Sequence, residues 1–227
     1  MKRENNRKID ETRPIYVEAG VIPNADGSAI FKMGRTIAIA AVYGPRPLHP
    51  KHMQNPSRCL LQAYYNMLPF STTERVRPGP SRRSQEICKV TREALEPAIF
   101  LEEFPKTAIK VFIHIIQAEA GTRTAGINAA SVALADAGIP MRDLVASCAA
   151  GKIENEYVLD LEGKEEDASV CDLPLAYMPR TKEITLFQLD GDITKKDVSE
   201  VAKLAIKGCE EIYKKQKEAL KKKWIGE

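Results

Sequence analysis

Thr122, Arg123 and Thr124 lie within Gln117-Ala-Glu-Ala-Gly-Thr-Arg-Thr-Ala-Gly126, where a β-type stretch gives way to a small-residue helical pattern. The first turn of a helix has N–H groups without intrahelical partners and the positive end of the helix dipole, so such a junction can seat an anion. A hydroxyl and a guanidinium there would grip a phosphate through charge-assisted hydrogen bonds. The same residues would also serve as a plain strand-to-helix turn with a surface arginine. A second candidate is Arg77-Pro-Gly-Pro-Ser-Arg-Arg-Ser84. Arg82 and Arg83 enter a helix side by side, and a planar, permanently charged guanidinium suits a nucleic-acid backbone. The third is the acidic stretch at 162–172, with Glu165, Glu166, Asp167 and Asp172. Close carboxylates share protons or hold a metal, and one kept neutral can act as a general acid. Singly, each of these loops is as common on an ordinary solvated surface.

The surrounding elements must position these segments. Residues 15–19 read as a strand, and Asn24-Ala-Asp-Gly-Ser28 carries Asp-Gly hairpin chemistry. Residues 29–33 and 36–43 are apolar and β-branched enough for paired strands, stopped by Gly44-Pro-Arg-Pro47. A loop with proline and histidine spans 46–56, a strand 59–67 and a basic loop 69–81. Ser81 or Ser84 can cap a helix through Ile87, Val90, Ala94 and Leu95, which Pro97 should kink or break. Residues 108–118 form a long strand. A helix at 127–137 then ends at Gly138 and Pro140. Strands follow at 144–151 and 157–161, an acidic loop reaches Asp172, and further strands lie near 175–178 and 184–189. The last helix runs from about 194 to 223, with Val198, Val201, Leu204, Ala205, Ile212 and Leu220 at helical spacing. This order indicates a mixed α/β or α+β class built from two similar halves.

Composition narrows the class of function. The 227 residues are 44% hydrophobic and 29% charged, ordinary for a globular protein with a substantial core. No apolar run approaches the roughly 20 residues that span a bilayer. The opening residues are too polar for a signal-peptide core, so the cytoplasm is the expected location. Residues 1–12 read as a flexible arm and 13–227 as one domain. The five cysteines are odd in number, scattered and free of Cys-x-x-Cys pairs, which points to small buried or semi-buried thiols rather than disulfides or zinc. His49 and His52 lie on a loop far from any cysteine cluster. A net charge of +3 permits nucleic-acid binding without announcing it. The lysines at 214–223 read as a solvated helix face.

Read together, the segments resemble one family. Asp26-Gly-Ser28, Tyr43-Gly-Pro45, Asn66-Met-Leu-Pro-Phe-Ser71, Arg77-Pro-Gly-Pro-Ser-Arg-Arg83, Phe104-Pro105, Gln117 to Thr124, Ala129-Ala-Ser-Val-Ala-Leu-Ala-Asp-Ala-Gly-Ile-Pro-Met141 and Gly151-Lys152 follow in the order of the RNase PH family. Within it they are most similar to the catalytic RNase PH-like subunits of archaeal exosomes. The likeness extends from Ile9 to about Trp224.

The resemblance implies an RNase PH fold of two related βαβα-type halves. It also implies a phosphorolytic 3′-to-5′ exoribonuclease that releases nucleoside diphosphates from single-stranded RNA, reversible to RNA tailing. Inorganic phosphate would be the co-substrate, with Mg2+ as an additional ion. The partners implied are RNA, an inactive sister subunit alternating with this chain in a trimer-of-heterodimers ring, and RNA-binding cap proteins. Neither membrane nor DNA is expected. Gly121, Thr122 and Arg123 match the family's phosphate-binding site, Arg82 and Arg83 its paired RNA-holding arginines, and Asp172 its Ala-Asp-Met-Pro aspartate.

Two positions depart from the family pattern. An earlier aspartate should stand six residues before Asp172, and that position is Glu166, with Asp167 one place later. The proton donor therefore stays open among Asp172, Asp167 and Glu166. The strand before Asn66 normally presents alternating arginines to RNA, but carries Gln62 and Tyr64 here. Tyr64 could stack on a base or pack in an interface. Losing two cations should weaken RNA binding and flatten its salt dependence. A slope as steep as that of arginine-bearing relatives would contradict this. Two other functions compete with the leading one: a ring subunit that binds RNA without cutting it, and RNase PH-type trimming of transfer-RNA 3′ ends. A metal-dependent hydrolytic nuclease fits least.

Overall fold

Alternation of buried and half-exposed side chains builds the first half into strands β1 (Ile15–Ala19), β2 (Gly27–Met33), β3 (Thr36–Pro47), β4 (Leu60–Met67) and β5 (Thr107–Gln117). They form one sheet in the order β1-β2-β3-β5-β4, antiparallel except where β4 runs parallel to β5. The coordinates are a computed structural model that describes residue 3 and residues 6–226. Residues 1, 2, 4 and 5 of the N-terminal segment expected at 1–12 lie outside the described residues.

The second half forms another antiparallel sheet from β6 (Ala146–Ile153), β7 (Glu156–Leu159), β8 (Cys171–Met178), β9 (Glu183–Phe187) and β10 (Asp190–Gly191). Its order is β10-β8-β6-β7, and β9 also pairs with β8. Helix α1 (Arg82–Leu95) packs on β4, and α2 (Thr122–Asp136) packs against strands of both sheets. The four-residue α3 (Lys164–Asp167) interrupts the acidic stretch, and α4 (Lys195–Ile225) packs across β6, β7, β8 and β1. This is the mixed α/β arrangement of two related halves expected from the sequence.

The core explains why α2 is central. Every residue of α2 except Arg123 and Ala135 is buried, and its alanines let both sheets approach closely. Phe31, Ile113, Ile115 and Leu134 are wholly shielded from solvent, and burying such a side chain contributes about 1.5–3 kcal/mol. The cysteines are all free, and only Cys88 is partly exposed. Among the described residues no helix is long and apolar enough to cross a membrane.

Three local expectations need correction. Asp26–Gly27 is not a tight hairpin turn. The two-residue turn is Gly34–Arg35, closing the Met33–Thr36 pair, with Gly34 at φ 58°. Gly27 is required for close approach instead, because a Cβ there would lie 2.2 Å from the backbone nitrogen of Ala137. Helix α2 begins at residue 122 rather than 127, since a helix buried on all sides has no apolar stripe to mark its start. Strand β8 begins at Cys171, so Asp172 sits on a strand and not at the end of a loop.

Candidate active site

The junction between β5 and α2 is shaped by one glycine and two distant side chains. Gly121 occupies the N-cap position in the left-handed region (φ 66°, ψ 32°), and no side chain caps the helix. The N–H groups of its first turn are left for an incoming acceptor. The Thr124 hydroxyl donates to Gly121 O at 2.8 Å. Just upstream, the Thr36 hydroxyl donates to Ala120 O at 2.7 Å, and Arg13 Nη2 reaches the same oxygen at 3.3 Å. The bend is therefore pinned from β3 and from the N-terminal segment.

A cavity of about 290 Å³ opens in front of this helix end, lined by Arg83, Gly121, Thr122, Arg123, Thr124, Glu166, Asp172, Gln188 and Asp190, among others. Asp172 reaches it because β8 pairs with β6 at Gly151 and with β10 at Asp190. A Cβ at Gly151 would lie 2.3 Å from Cys171 O and 2.6 Å from a Leu161 methyl, so glycine there lets the acidic stretch lie against β6. Glu166 enters from α3.

Four residues lining this cavity each carry a buried polar atom without a hydrogen-bond partner: Thr122 Oγ1, Arg123 Nε, Asp172 Oδ1 and Gln188 Oε1. Buried polar groups are rarely left unsatisfied, so their convergence marks a place for a polar ligand. Arg123 is oriented by Glu86 of α1, with Nη2 donating to its two carboxylate oxygens at 3.0 and 3.2 Å. Gln188 Nε2 donates to the same carboxylate at 3.1 Å. Burial, then the negative charge of Glu166, pushes Asp172 up to about 6, with Asp190 adding to this and Arg123 opposing it. A carboxyl held there can stay protonated near neutral pH and donate its proton.

The structure gathers Asp172, Glu166, Gly121, Thr122, Arg123 and Arg83 around one cavity. Asp167 is exposed and lies outside its lining, as does Arg82, which stands exposed at the start of α1. Gln62 and Tyr64 share one face of β4, with the tyrosine hydroxyl donating to Gln62 Oε1 at 3.4 Å. Tyr64 stacks on Phe112 (centroids 4.9 Å apart, planes at 11°) and borders a separate groove lined also by Pro80, Ser84 and Gln85. Glu86, Gln188 and Asp190 are site residues that sequence reasoning does not find. Glu86 carries a usable signal, since it lies three residues beyond Arg83 on one helix. Gln188 and Asp190 carry none, because only the pairing of β9 and β10 with β8 brings them in. Among the described residues no group of three or more His, Cys, Asp or Glu is arranged to hold a metal ion.

Comparison with known proteins places the chain in context. Residues 11–140 match domain 1 of the 3′ exoribonuclease family (RNase_PH), and residues 143–208 match domain 2 (RNase_PH_C). An exosome complex component Rrp41 from Pyrococcus abyssi is 60% identical over 227 residues, covering 98% of this chain and 91% of the relative. The component of the same description from Methanopyrus kandleri is 56% identical over 225 residues, covering 99% and 94%. The crystal structure of rice Rrp46 superposes with a TM-score of 0.86 at 22% identity, covering 95% of this chain and 98% of that one, and so shares the fold.

Proposed function

The chain belongs to the 3′ exoribonuclease (RNase PH) family, and from that premise we propose that it is the phosphorolytic subunit of an archaeal exosome, shortening single-stranded RNA from its 3′ end. The observation that carries this is a cavity lined by four residues with unpartnered buried polar atoms, at an uncapped helix start and beside a carboxyl raised to about 6. Such a site suits an anionic co-substrate and a leaving group that needs a proton.

Inorganic phosphate sits against Thr122, Arg123 and the first N–H groups of α2. One of its oxygens attacks the phosphorus of the terminal phosphodiester in line, forming the new P–O bond as the bond to the preceding 3′ oxygen breaks. Charge on the non-bridging oxygens is met by Arg123 and by groups already in place, so little reorganisation is needed. Asp172 donates its proton to the departing 3′ oxygen, and Glu166 helps to keep that proton on Asp172 beforehand. The products are a nucleoside 5′-diphosphate and an RNA one nucleotide shorter with a free 3′ hydroxyl. Run backwards, the same steps add nucleotides and release phosphate. Because the acceptor is phosphate and not water, the chemistry is transfer, and the term hydrolase does not describe it.

Arg83 and Arg82 hold the RNA backbone, and the Tyr64–Phe112 stack offers a face on which a base can lie, an interaction worth about 1–3 kcal/mol per base in single-strand binders. Glu166 and Asp190 line the cavity with carboxylate oxygens of the kind Mg2+ takes, but among the described residues no group of three or more such side chains is arranged to hold a metal ion. Any magnesium would be carried mainly by phosphate and RNA oxygens. The chain works in a ring, alternating with an inactive sister subunit beneath RNA-binding cap proteins, in the cytoplasm. The exposed Ile184 and Phe187 of β9 support an assembled state.

The test mixes the chain with its ring partner and a 3′-labelled oligoadenylate, with and without inorganic phosphate. Diphosphates released only with phosphate are expected. Monophosphates released without phosphate would mean hydrolysis, and RNA binding without release would mean a structural subunit.

A further inference from the structure

The acidic segment poses a physical problem that the catalytic reading does not address. Asp160, Glu162 and Glu165 are 1–2% exposed and fall within six residues of one another. Three carboxylates buried this close repel one another and need counter-charges. Those come from the other end of the chain. Arg3 grips Glu165 with two parallel bonds, Nε to Oε1 at 3.0 Å and Nη2 to Oε2 at 2.8 Å, and also donates to Asp160 O at 2.9 Å. Arg7 Nη2 donates to Glu162 Oε2 at 2.9 Å. Arg13 grips Asp160 through Nε at 2.8 Å and Nη2 at 2.7 Å. Three arginines among the first thirteen residues thus neutralise three carboxylates about 150 residues away in the chain.

The consequence falls on the next residue along. Helix α3 is only four residues long and has no side-chain cap, so its own hydrogen bonds cannot fix its orientation. With Glu165 locked inward against Arg3, Glu166 projects into the cavity beside Asp172. Arg13 meanwhile touches Ala120 O at the phosphate seat. The same N-terminal segment therefore contacts both catalytic walls. We propose that Arg3, Arg7 and Arg13 act as a positioning strap in which Arg3, by holding Glu165, keeps Glu166 beside Asp172 and so sustains phosphorolysis. Arg3 and Glu165 are positioning residues, and neither lines the cavity.

This inference rests on the phosphorolytic reading of the site, and the experiment keeps the two apart. Phosphorolysis is measured on the assembled complex with the wild-type chain, Arg3→Lys, Arg3→Gln and the double variant Arg3→Gln/Glu165→Gln, as kcat and phosphate KM across pH 5 to 9. Asp172 is faced by Glu166, Asp190, Arg123 and Arg83. When Glu166 drifts away, one source of negative charge is lost, and the alkaline fall in rate should move to lower pH. Arg3→Gln is expected to lower kcat about tenfold with phosphate KM within twofold, and Arg3→Lys to fall between it and wild type. Should Arg3→Gln not fold, the double variant removes both charges at once and is expected to show the same kcat loss and pH shift. Unchanged kcat and pH profile in whichever of these variants folds would overturn the strap. Failure of the wild-type complex to use phosphate would instead overturn the reading on which the strap rests.

Discussion

The phosphate seat and the acidic segment border one cavity, yet they are held by different physics. The seat is the end of α2, a helix buried almost throughout its length, so its N–H groups are aimed by the packing of the whole core. The acidic segment contains one turn of helix, and its buried carboxylates are held by arginines from the N-terminal segment. Packing against many neighbours degrades gradually when one contact is lost. An ion-pair bracket does not, because removing one partner leaves a buried charge unpaired, at a cost of about 3–5 kcal/mol. One wall is thus set by the core as a whole and the other by a few specific side chains. On the proposed reading the seat binds the anion and the acidic wall handles the proton, so mutation of the seat should show mainly in phosphate KM and mutation of the wall mainly in kcat and its pH dependence.

The largest expected effect lies on the acidic wall. Asp172→Asn removes the proton donor while keeping the shape, and kcat should fall by about 10²–10⁴ with little change in RNA binding. The wild-type rate should decline as pH rises through about 6, since the protonated form is the one that acts. Stability carries the matching sign. A carboxyl whose folded pKa is raised above its unfolded value binds its proton more tightly when folded, so its contribution is fully present below about 4 and lost as pH climbs through about 6. At pH 7.5 the asparagine variant should therefore be more stable to unfolding than wild type, by on the order of 1–2 kcal/mol. A variant that loses activity and stability together would show that Asp172 holds the fold and does not store strain for catalysis.

On the seat, Arg123→Ala removes a guanidinium that lines the cavity and whose Nε has no hydrogen-bond partner. One or two charge-assisted bonds to phosphate would be lost, and phosphate KM should rise about 10- to 100-fold. Initial rates titrated against phosphate check this. Equal losses in kcat at saturating phosphate would blur the division between the two walls, because they would place Arg123 in the transition state as strongly as in the ground state.

The same division governs what the sequence discloses. The seat is legible because its parts are neighbours in the chain: a β-run, then Gly121, Thr122 and Arg123, then a helix. Only its starting residue is misjudged, since burial on every side erases the apolar stripe of α2. The acidic wall is legible only in outline. That Glu166 and not Asp167 reaches the cavity depends on Glu165 turning inward to meet Arg3, a contact that spans 162 positions. Asp190 and Gln188 join through strand pairing, and Asp26–Gly27 is misread because hairpin chemistry and close helix approach both select glycine. Short-range motifs survive such reading, whereas long-range charge pairing and sheet order do not.

Gly121→Ala should have the smallest effect and tests whether the two walls are separable. The left-handed backbone at Gly121 costs a side-chain-bearing residue about 1–2 kcal/mol, and the added Cβ would sit 3.2 Å from both Thr124 Oγ1 and Arg13 Nη2. The melting temperature should drop by a few degrees, about 2–4 °C per kcal/mol for a chain of this length. Phosphate KM should rise several-fold, because the first turn of α2 tilts while Arg123 keeps its hold on Glu86. The pH at which kcat declines should not move, since Asp172 and Glu166 lie on other elements. Arg13 is one physical route by which it could, beside the charge of Arg123 on Asp172, as its guanidinium touches the seat through Nη2 and holds Asp160 with Nη2 and Nε. An acid-shifted kcat profile in Gly121→Ala would mean that pressure on Arg13 reaches the carboxylates and that the two walls move as one unit.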